Sequence, residues 1–536
     1  MTTHGGQPHD GNSPKVYPAT YFTLETHRLV IQAHIALMVL SWAVLMPIVV
    51  MLSLARSRLA HFVRLGFTVT NAIGLLLGIS YKHNTQDLYP GSVHAAVGWI
   101  ATGIATAQVG HLLVGPMTKL FSRFTRQSHA RTSRYTLPPM SDSYHGQESP
   151  RGLSGLSRQG SIDVEATDVL LDNRDTPSHC RQDTHESGFT SEDDTRFGES
   201  DSVRVLHHGS SGVFSNILST PSSWRVQRVM VLFNDVADST ILLVAFVAFC
   251  TGVVTFWGLF KGQAVFNGVA HWIKGGVFIW LGIFNLSRWC GCFAERGWAW
   301  NVRPGNSTTR WLSAEFVESF LVFFYGSTNI FLEHLAGWGK AWTTRDLEHV
   351  AITVLFIGGG LCGILVEYVR VRGLGEKARQ AAAGCSQNSI TDTQQPSGVS
   401  INPLPALVIF LMGGSMASHE QASMVSTMVH RQWGNLLGAA SVARLLSYMM
   451  MHLKPPVSTS PSRPPTELVL SFCFIAGGIL FMASSSDTID GMIHYELDVM
   501  ALYTVTMGFT GVLMAWTIGL LALKDWASTS ATRRTG

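Results

Sequence analysis

Residues 243–260 read LVAFVAFCTGVVTFWGLF, and residues 349–366 read HVAITVLFIGGGLCGILV. Neither run contains Asp, Glu, Lys or Arg. A helix needs about 20 mainly apolar residues to cross a bilayer, because lipid offers no partner to backbone N–H and C=O groups. Eleven stretches pass this test, at 28–54, 59–81, 93–115, 238–260, 267–289, 313–334, 348–370, 404–418, 430–452, 467–485 and 498–523. The weakest is 404–418: it is short and runs into the polar HEQASM, so it either continues toward His430 or breaks at Gly413-Gly414. The expected fold is an all-α polytopic membrane protein of about 11 transmembrane helices, with the lipid bilayer as its first partner.

The composition agrees. Of 536 residues, 14% are charged and 46% are hydrophobic, where soluble proteins carry roughly 25% charge. A single soluble enzyme and a mostly disordered chain are both excluded. The net charge of +3 and the absence of a Lys/Arg stripe with interleaved aromatics give no sign of nucleic-acid binding. Seven scattered cysteines imply no disulfide framework. The start, MTTHGGQPHDGNSPKVYPAT, lacks a basic-then-apolar pattern, so no cleaved signal peptide is expected.

Orientation follows from Lys and Arg near the span ends. Alternate loops are rich in them: Arg56, Arg58 and Arg64; Lys119 to Arg134; Arg288, Arg296, Arg303 and Arg310; Arg370 to Arg379; Lys454 and Arg463; Lys524, Arg533 and Arg534. The intervening loops are poor in them, and 486–498 is acidic. This predicts an outside N-terminus and a cytoplasmic C-terminus, in the plasma membrane or an endomembrane. Three parts follow: a three-helix block at 28–115, a disordered cytoplasmic loop at 116–225, and an eight-helix block at 226–525. The loop is rich in Ser, Asp, Arg and His, without sustained periodicity. Its Arg151-to-Ser154 and Arg158-to-Ser161 spacings fit a basic-directed kinase as partner. The spacings Gly74-xxx-Gly78 and Gly359-xxx-Gly363 are read as close helix packing.

Histidines mark two regions. In the first block, His34 and His94 fall near the outer end, and His61 and His111 near the inner end. At 1.5 Å per residue, His94 and His111 are about 25 Å apart along one helix. The pairs His34/His94 and His61/His111 could each ligate a haem b, and two haems at two depths would carry an electron across the membrane. The alternative is that His at a span end simply sits at the interface. In the second block, AHWIKGG (His271, Lys274), FLEHLAGWG (Glu333, His334), DLEHVAIT (Glu348, His349), SHEQ (His419, Glu420) and VHRQWG (His430) all fall at outer helix ends. Imidazole with carboxylate suits a first-row transition metal ion. The same residues would equally serve as a hydrogen-bonded polar cap, or line a solute or proton path. Cys290-Gly-Cys292, on the cytoplasmic side, suits packing or a lipidated cysteine as well as a ligand pair.

Two resemblances add to this. HIALMVLSWAVLMP at 34–47, His61 opening the second span and SVHAAVGW opening the third are similar to the ascorbate-reducible two-haem transmembrane cytochrome b family. That resemblance implies haem and an external electron donor such as ascorbate. It departs from the family pattern at the fourth ligand, since the span at 238–260 has no His and His111 would have to substitute. The runs FNGVAHWIKGGVFIWLG, RWCGCFAERGWAWN, the segment 313–342, SHEQASMVSTMVHRQWG and SRPPTELVLSFCFIAGG resemble the fungal YTP-one-like polytopic membrane proteins over roughly 225–525. This implies an integral membrane protein with hints of similarity to electron-transport proteins and no settled activity. No P-loop, G-x-S-x-G, H-E-x-x-H or G-x-G-x-x-G occurs, which argues against a nucleotide-driven pump and a serine hydrolase. The leading expectation is a His-ligated haem or metal centre for transmembrane electron transfer or metal handling. The rivals are a solute or proton transporter and a non-catalytic scaffold.

Overall fold

The computed structural model describes residues 19–110, 221–303, 312–334, 341–342, 344–382 and 400–533, with side chains except at 221–227, 230–231, 330–334, 344–346, 373–382 and 531–532. The described residues are helical, without strands. A helix stands at each of the eleven expected positions: α1 (Arg28–Leu54), α2 (Leu59–Asn84), α3 (94–110), α4 (Pro221–Trp257), α5 (Ala264–Cys290), α6 (Ala314–His334), α7 (Thr344–Ala382), α8 (Leu404–Ser418), α9 (Met424–Leu453), α10 (Thr466–Ala483) and α11 (Val499–Thr532). Among the described residues, eight helices are long and apolar enough to cross a membrane, fewer than the eleven expected: α3, α6 and α8 are not among the eight, and α8 has only 15 residues. It runs unbroken through Gly413-Gly414 and stops at Ser418, where His419 turns extended. A short helix, Ser486–His494, precedes α11. The expected loop at 116–225 lies outside the described residues up to 220, and α4 begins earlier than expected, at Pro221.

The chain divides into two compact units, 1–114 with 229–536, and 115–228. In the first unit, the connections gather at two ends, as alternating crossings require. At the end expected outside, the Tyr89 hydroxyl donates to the Leu259 carbonyl at 2.7 Å, and the Phe260 N–H donates to the Asp487 carboxylate at 2.7 Å. At the other end, the Ser53 hydroxyl donates to Asp238 at 2.9 Å, and the Asn301 amide donates to the Thr459 carbonyl at 2.7 Å.

Small residues set the closest approaches. A Cβ on Gly275 of α5 would stand 2.4 Å from the Gly478 carbonyl oxygen of α10, and a Cβ on Gly478 would stand 2.6 Å from that of Gly275. Lipid tails are as apolar as leucine, so this backbone proximity, rather than hydrophobic exclusion, holds the pair. Gly78, Gly359 and Gly363 also face neighbouring helices at contact distance, as their spacing predicted. The main core joins α5, α7, α8, α9 and α10 around Trp433, which stacks on Phe481 at 4.2 Å between ring centroids. In α1, Leu40–Leu45 widens into a π-helical turn just before Pro47. Proline supplies no N–H to the i−4 ladder, so the wider turn is accommodated there.

Candidate functional site

Three groups of polar side chains gather among the helices. The first lies in the N-terminal helices. His34 of α1 places Nδ1 2.8 Å from the Gly74 carbonyl of α2, and its ring fills the space a Cβ on Gly78 would need. His94 of α3 places Nδ1 3.2 Å from the Thr251 hydroxyl of α4, against Gly252. That hydroxyl already donates to the Ala248 carbonyl at 3.0 Å, so it accepts from His94. In its neutral form each ring would carry its proton on Nδ1 and its electron pair on Nε2. His61 is exposed at the start of α2, and His111 lies outside the described residues.

The second group lies at the end expected outside. His271 of α5 and His430 of α9 bring their ring centroids to 6.3 Å, nearly perpendicular. Each Nδ1 bonds the carbonyl one turn back on its own helix, Asn267 at 2.9 Å and Ser426 at 2.8 Å. His419 Nε2 stands 3.5 Å from the Glu348 carboxylate. His349 is half-buried on α7, and Glu420 is exposed. The side chains of Glu333 and His334 lie outside the described residues. The structure thus joins His271 with His430, and His419 with Glu348. Among the described residues, no group of three or more His, Cys, Asp or Glu gathers as a metal site needs.

The third group was not singled out from the sequence. At the end expected in the cytoplasm, Arg288 closes α5, Arg444 stands on α9, Glu315 and Glu318 open α6, and Glu467 opens α10. All five are buried. Arg288 reaches Glu315 at 3.2 Å and Glu318 at 3.4 Å; Arg444 reaches Glu318 at 3.3 Å and Glu467 at 3.4 Å. Asn285 accepts from Arg444 at 2.6 Å, and the Trp300 ring lies 4.8 Å from the Arg288 guanidinium and 5.4 Å from that of Arg444. Carboxylates sit at helix N-terminal ends and arginines toward C-terminal ends, which complements the helix dipoles. Charges inside apolar runs were the available signal. Arg288, which the orientation reading treated as a loop base, is instead buried in these pairs. Nearby, the buried Glu367 accepts from Ser313, Ser400 and Arg370.

Glu318 and Arg444 of the third group also line an apolar cleft. Phe278, Tyr325, Phe356, Ile409 and Phe474 wall it, and Lys274, Glu318, Ser441 and Arg444 are among its polar lining residues. The Lys274 ammonium lies 5.9 Å from the Tyr325 ring centroid. Outside the spans, burial pushes the Cys292 thiol up, Lys524 draws it down and Asp525 adds to the rise.

A family model described as "Protein YTP1-like, C-terminal" matches residues 244–525, and a domain of unknown function matches 15–115. An uncharacterized membrane protein of Schizosaccharomyces pombe is 33% identical over 522 residues, 93% of this chain and 94% of that one. An uncharacterized membrane protein of Saccharomyces cerevisiae is 45% identical over 282 residues, 50% of this chain and 44% of that one. Protein YTP1 of the same yeast is 21% identical over 283 residues, 52% of each chain. No solved structure matches. With half of its length under one family model and a relative matched almost end to end, the chain belongs to the YTP1-like family of multi-pass membrane proteins.

Proposed function

We propose that the protein is a membrane carrier that seats an organic anion with an apolar body in the cleft among α5 to α10 and passes it across the bilayer. The observation that carries this reading is the cleft itself, apolar on most sides, with Lys274 beside it. Lys274 lies ten residues into α5, well inside the span. An ionisable group at that depth is costly and characteristically faces a substrate pathway. A cation beside aromatic walls selects for a negative head on an apolar body. The His271/His430 pair at one end of α5 and α9, and Arg288 and Arg444 toward the other, extend the polar path in both directions.

A fluorescent naphthalene sulfonate tests this, since it brightens in an apolar seat and crosses lipid slowly. Purified protein should bind it saturably, Lys274→Met and Val277→Trp should each bind it at least tenfold more weakly, about 1.4 kcal/mol, and proteoliposomes should load it faster than empty liposomes. Equal binding by all three proteins, or equal loading, overturns the reading.

A second reading attaches to the N-terminal helices. With Nδ1 of His34 and His94 engaged, each Nε2 would offer the electron pair that a haem b iron takes. The group would supply one-electron chemistry; the protein orients both rings through Gly74 and Thr251. A Soret band in protein from haem-supplemented cells, lost in His34→Ala or His94→Ala, supports it. Its absence in the unmodified protein disposes of it, and with it the ascorbate donor.

A further inference from the structure

The helices around the cleft form a ring with one loose seam. α5 lies on α10 through Gly275 and Gly478, α6 on α7 through Gly326, and α8 on α9 through Gly413 and Gly434. A Cβ on Gly326 would stand 2.8 Å from the Ile357 nitrogen of α7, and one on Gly413 would stand 2.6 Å from the Gly434 carbonyl oxygen. Trp433 stacks on Phe481 to join α9 to α10, and the Asn402 amide, just before α8, donates to the Gly363 carbonyl of α7 at 3.0 Å. Backbones this close leave no room for an acyl chain between them.

α5 and α6 meet differently. The glycines of α5 face Phe246, Phe260 and α10, and Gly326 of α6 faces α7. Long side chains bridge the two helices: Arg288 reaches Glu315 and Glu318 in the inner-end cluster, and Lys274 lies 5.9 Å from the Tyr325 ring centroid. At 1.5 Å per residue, these bridges stand about 20 Å apart along α5. Between them, Val277 of α5 and Leu321 of α6 line the cleft, yet they are 50% and 45% exposed. At this depth the surrounding medium is lipid tails.

We infer that the seam between α5 and α6 is a lateral entrance, and that the cleft takes its anion from the bilayer. The ligand is a single-chain amphiphile of the fatty-acid carboxylate class, its head at Lys274 and its chain leaving between Val277 and Leu321. This rests on the reading of the cleft as an anion seat. Attraction to the Lys274 ammonium is stronger at this depth than in water, and it offsets the cost of bringing a charged head there. Arg444, which also lines the cleft, faces Glu318 and Glu467, two acids that repel a carboxylate. Bridges above and below bound the opening, which suits one chain rather than the two of a phospholipid.

The test uses the full chain in lipid nanodiscs and palmitate carrying a photoreactive diazirine near its tail end, with the methyl ester as neutral control. Light should attach palmitate saturably to the seam segments around Val277 and Leu321, at least tenfold more than the ester, and Lys274→Met should remove that difference. Leu321→Trp, which fills the seam from an exposed position, should cut the labelling at least tenfold; Leu365→Trp, on the exposed face of α7, should leave it unchanged. Label spread evenly over the helices, equal labelling by the ester, or unchanged labelling in Leu321→Trp overturns the lateral entrance. So does tail label on the interior walls at Phe356, Ile409 and Phe474, which would place the whole ligand inside the cleft, as for an anion arriving from water. Naphthalene sulfonate bound by the unmodified protein without seam labelling overturns the lateral entrance alone; neither ligand bound overturns the anion seat as well.

Discussion

Replacing Arg444 by Met tests whether the inner-end cluster holds the helices together. Methionine keeps much of the length and apolar volume of the arginine stem, so the change isolates the guanidinium. That guanidinium reaches Glu318 at 3.3 Å, Glu467 at 3.4 Å and Asn285 at 2.6 Å. It joins α9 to α5, α6 and α10 at once. Removing one partner of a buried charged group leaves the other uncompensated, at a cost of about 3–5 kcal/mol. The exposed ion pairs of a soluble protein would give at most about 1 kcal/mol. The assay is reversible unfolding by a denaturing detergent, with Trp fluorescence as the readout; Trp300, packed on Arg444, reports from within the cluster. Arg444→Met should lower the transition midpoint markedly. Adding Glu318→Gln to Arg444→Met should recover a large share. Loss below about 1 kcal/mol, or a double variant as costly as the two singles summed, would refute the view that this network bears structural load.

Gly275→Val should destabilise by about 1–3 kcal/mol through overpacking, since its first added carbon already falls 2.4 Å from the Gly478 carbonyl, whereas Gly508→Val, which faces open space, should cost at most about 1 kcal/mol; unfolding midpoints of the two decide it. Asn306-Ser-Thr308 should carry no glycan, because the charge pattern puts it in the cytoplasm; a glycosidase-sensitive mobility shift lost in Asn306→Gln would invert the topology. Cys292 should react with a maleimide more slowly than a small free thiol at neutral pH and should speed up as pH rises. Its thiol is pushed up by burial, so less of it is thiolate at any given pH; rates equal to the free thiol would contradict this.

The elements were legible because the bilayer imposes a local rule. Each span must satisfy its own backbone and present an apolar surface, so length and hydropathy locate it without knowledge of its neighbours. This holds for α5, whose expected and observed limits differ by at most three residues, and for the C-terminal limit of α9, although α9 starts six residues earlier than expected. It also holds for the two-ended gathering of loops, since alternating crossings follow from the order of spans along the chain. The limits of α8 were less legible: its glycines could equally mark a break or a packed helix, and only its neighbour α9, against which Gly413 stands face to face with Gly434, settles it.

The sites divide the same way. That His271, His419 and His430 share one end of the molecule could be read from the span count, because depth is a one-dimensional quantity. Which of them meet depends on helix rotation and neighbour order, which the apolar pattern of a lipid-facing helix does not encode. Only the tertiary structure paired His271 with His430 and His419 with Glu348. The inner-end cluster shows the converse. In the sequence, Arg288 is a base flanking a span and Glu467 an acid opening one, each explicable by its own helix end. Their burial together needs five side chains from four helices at one depth, and the cleft beside them is a space between helices. The sequence by itself determined the membrane, the helices and their alternation; the tertiary structure alone decided which charges are shared and where a ligand can sit, because both depend on how separate helices rotate and pack against one another.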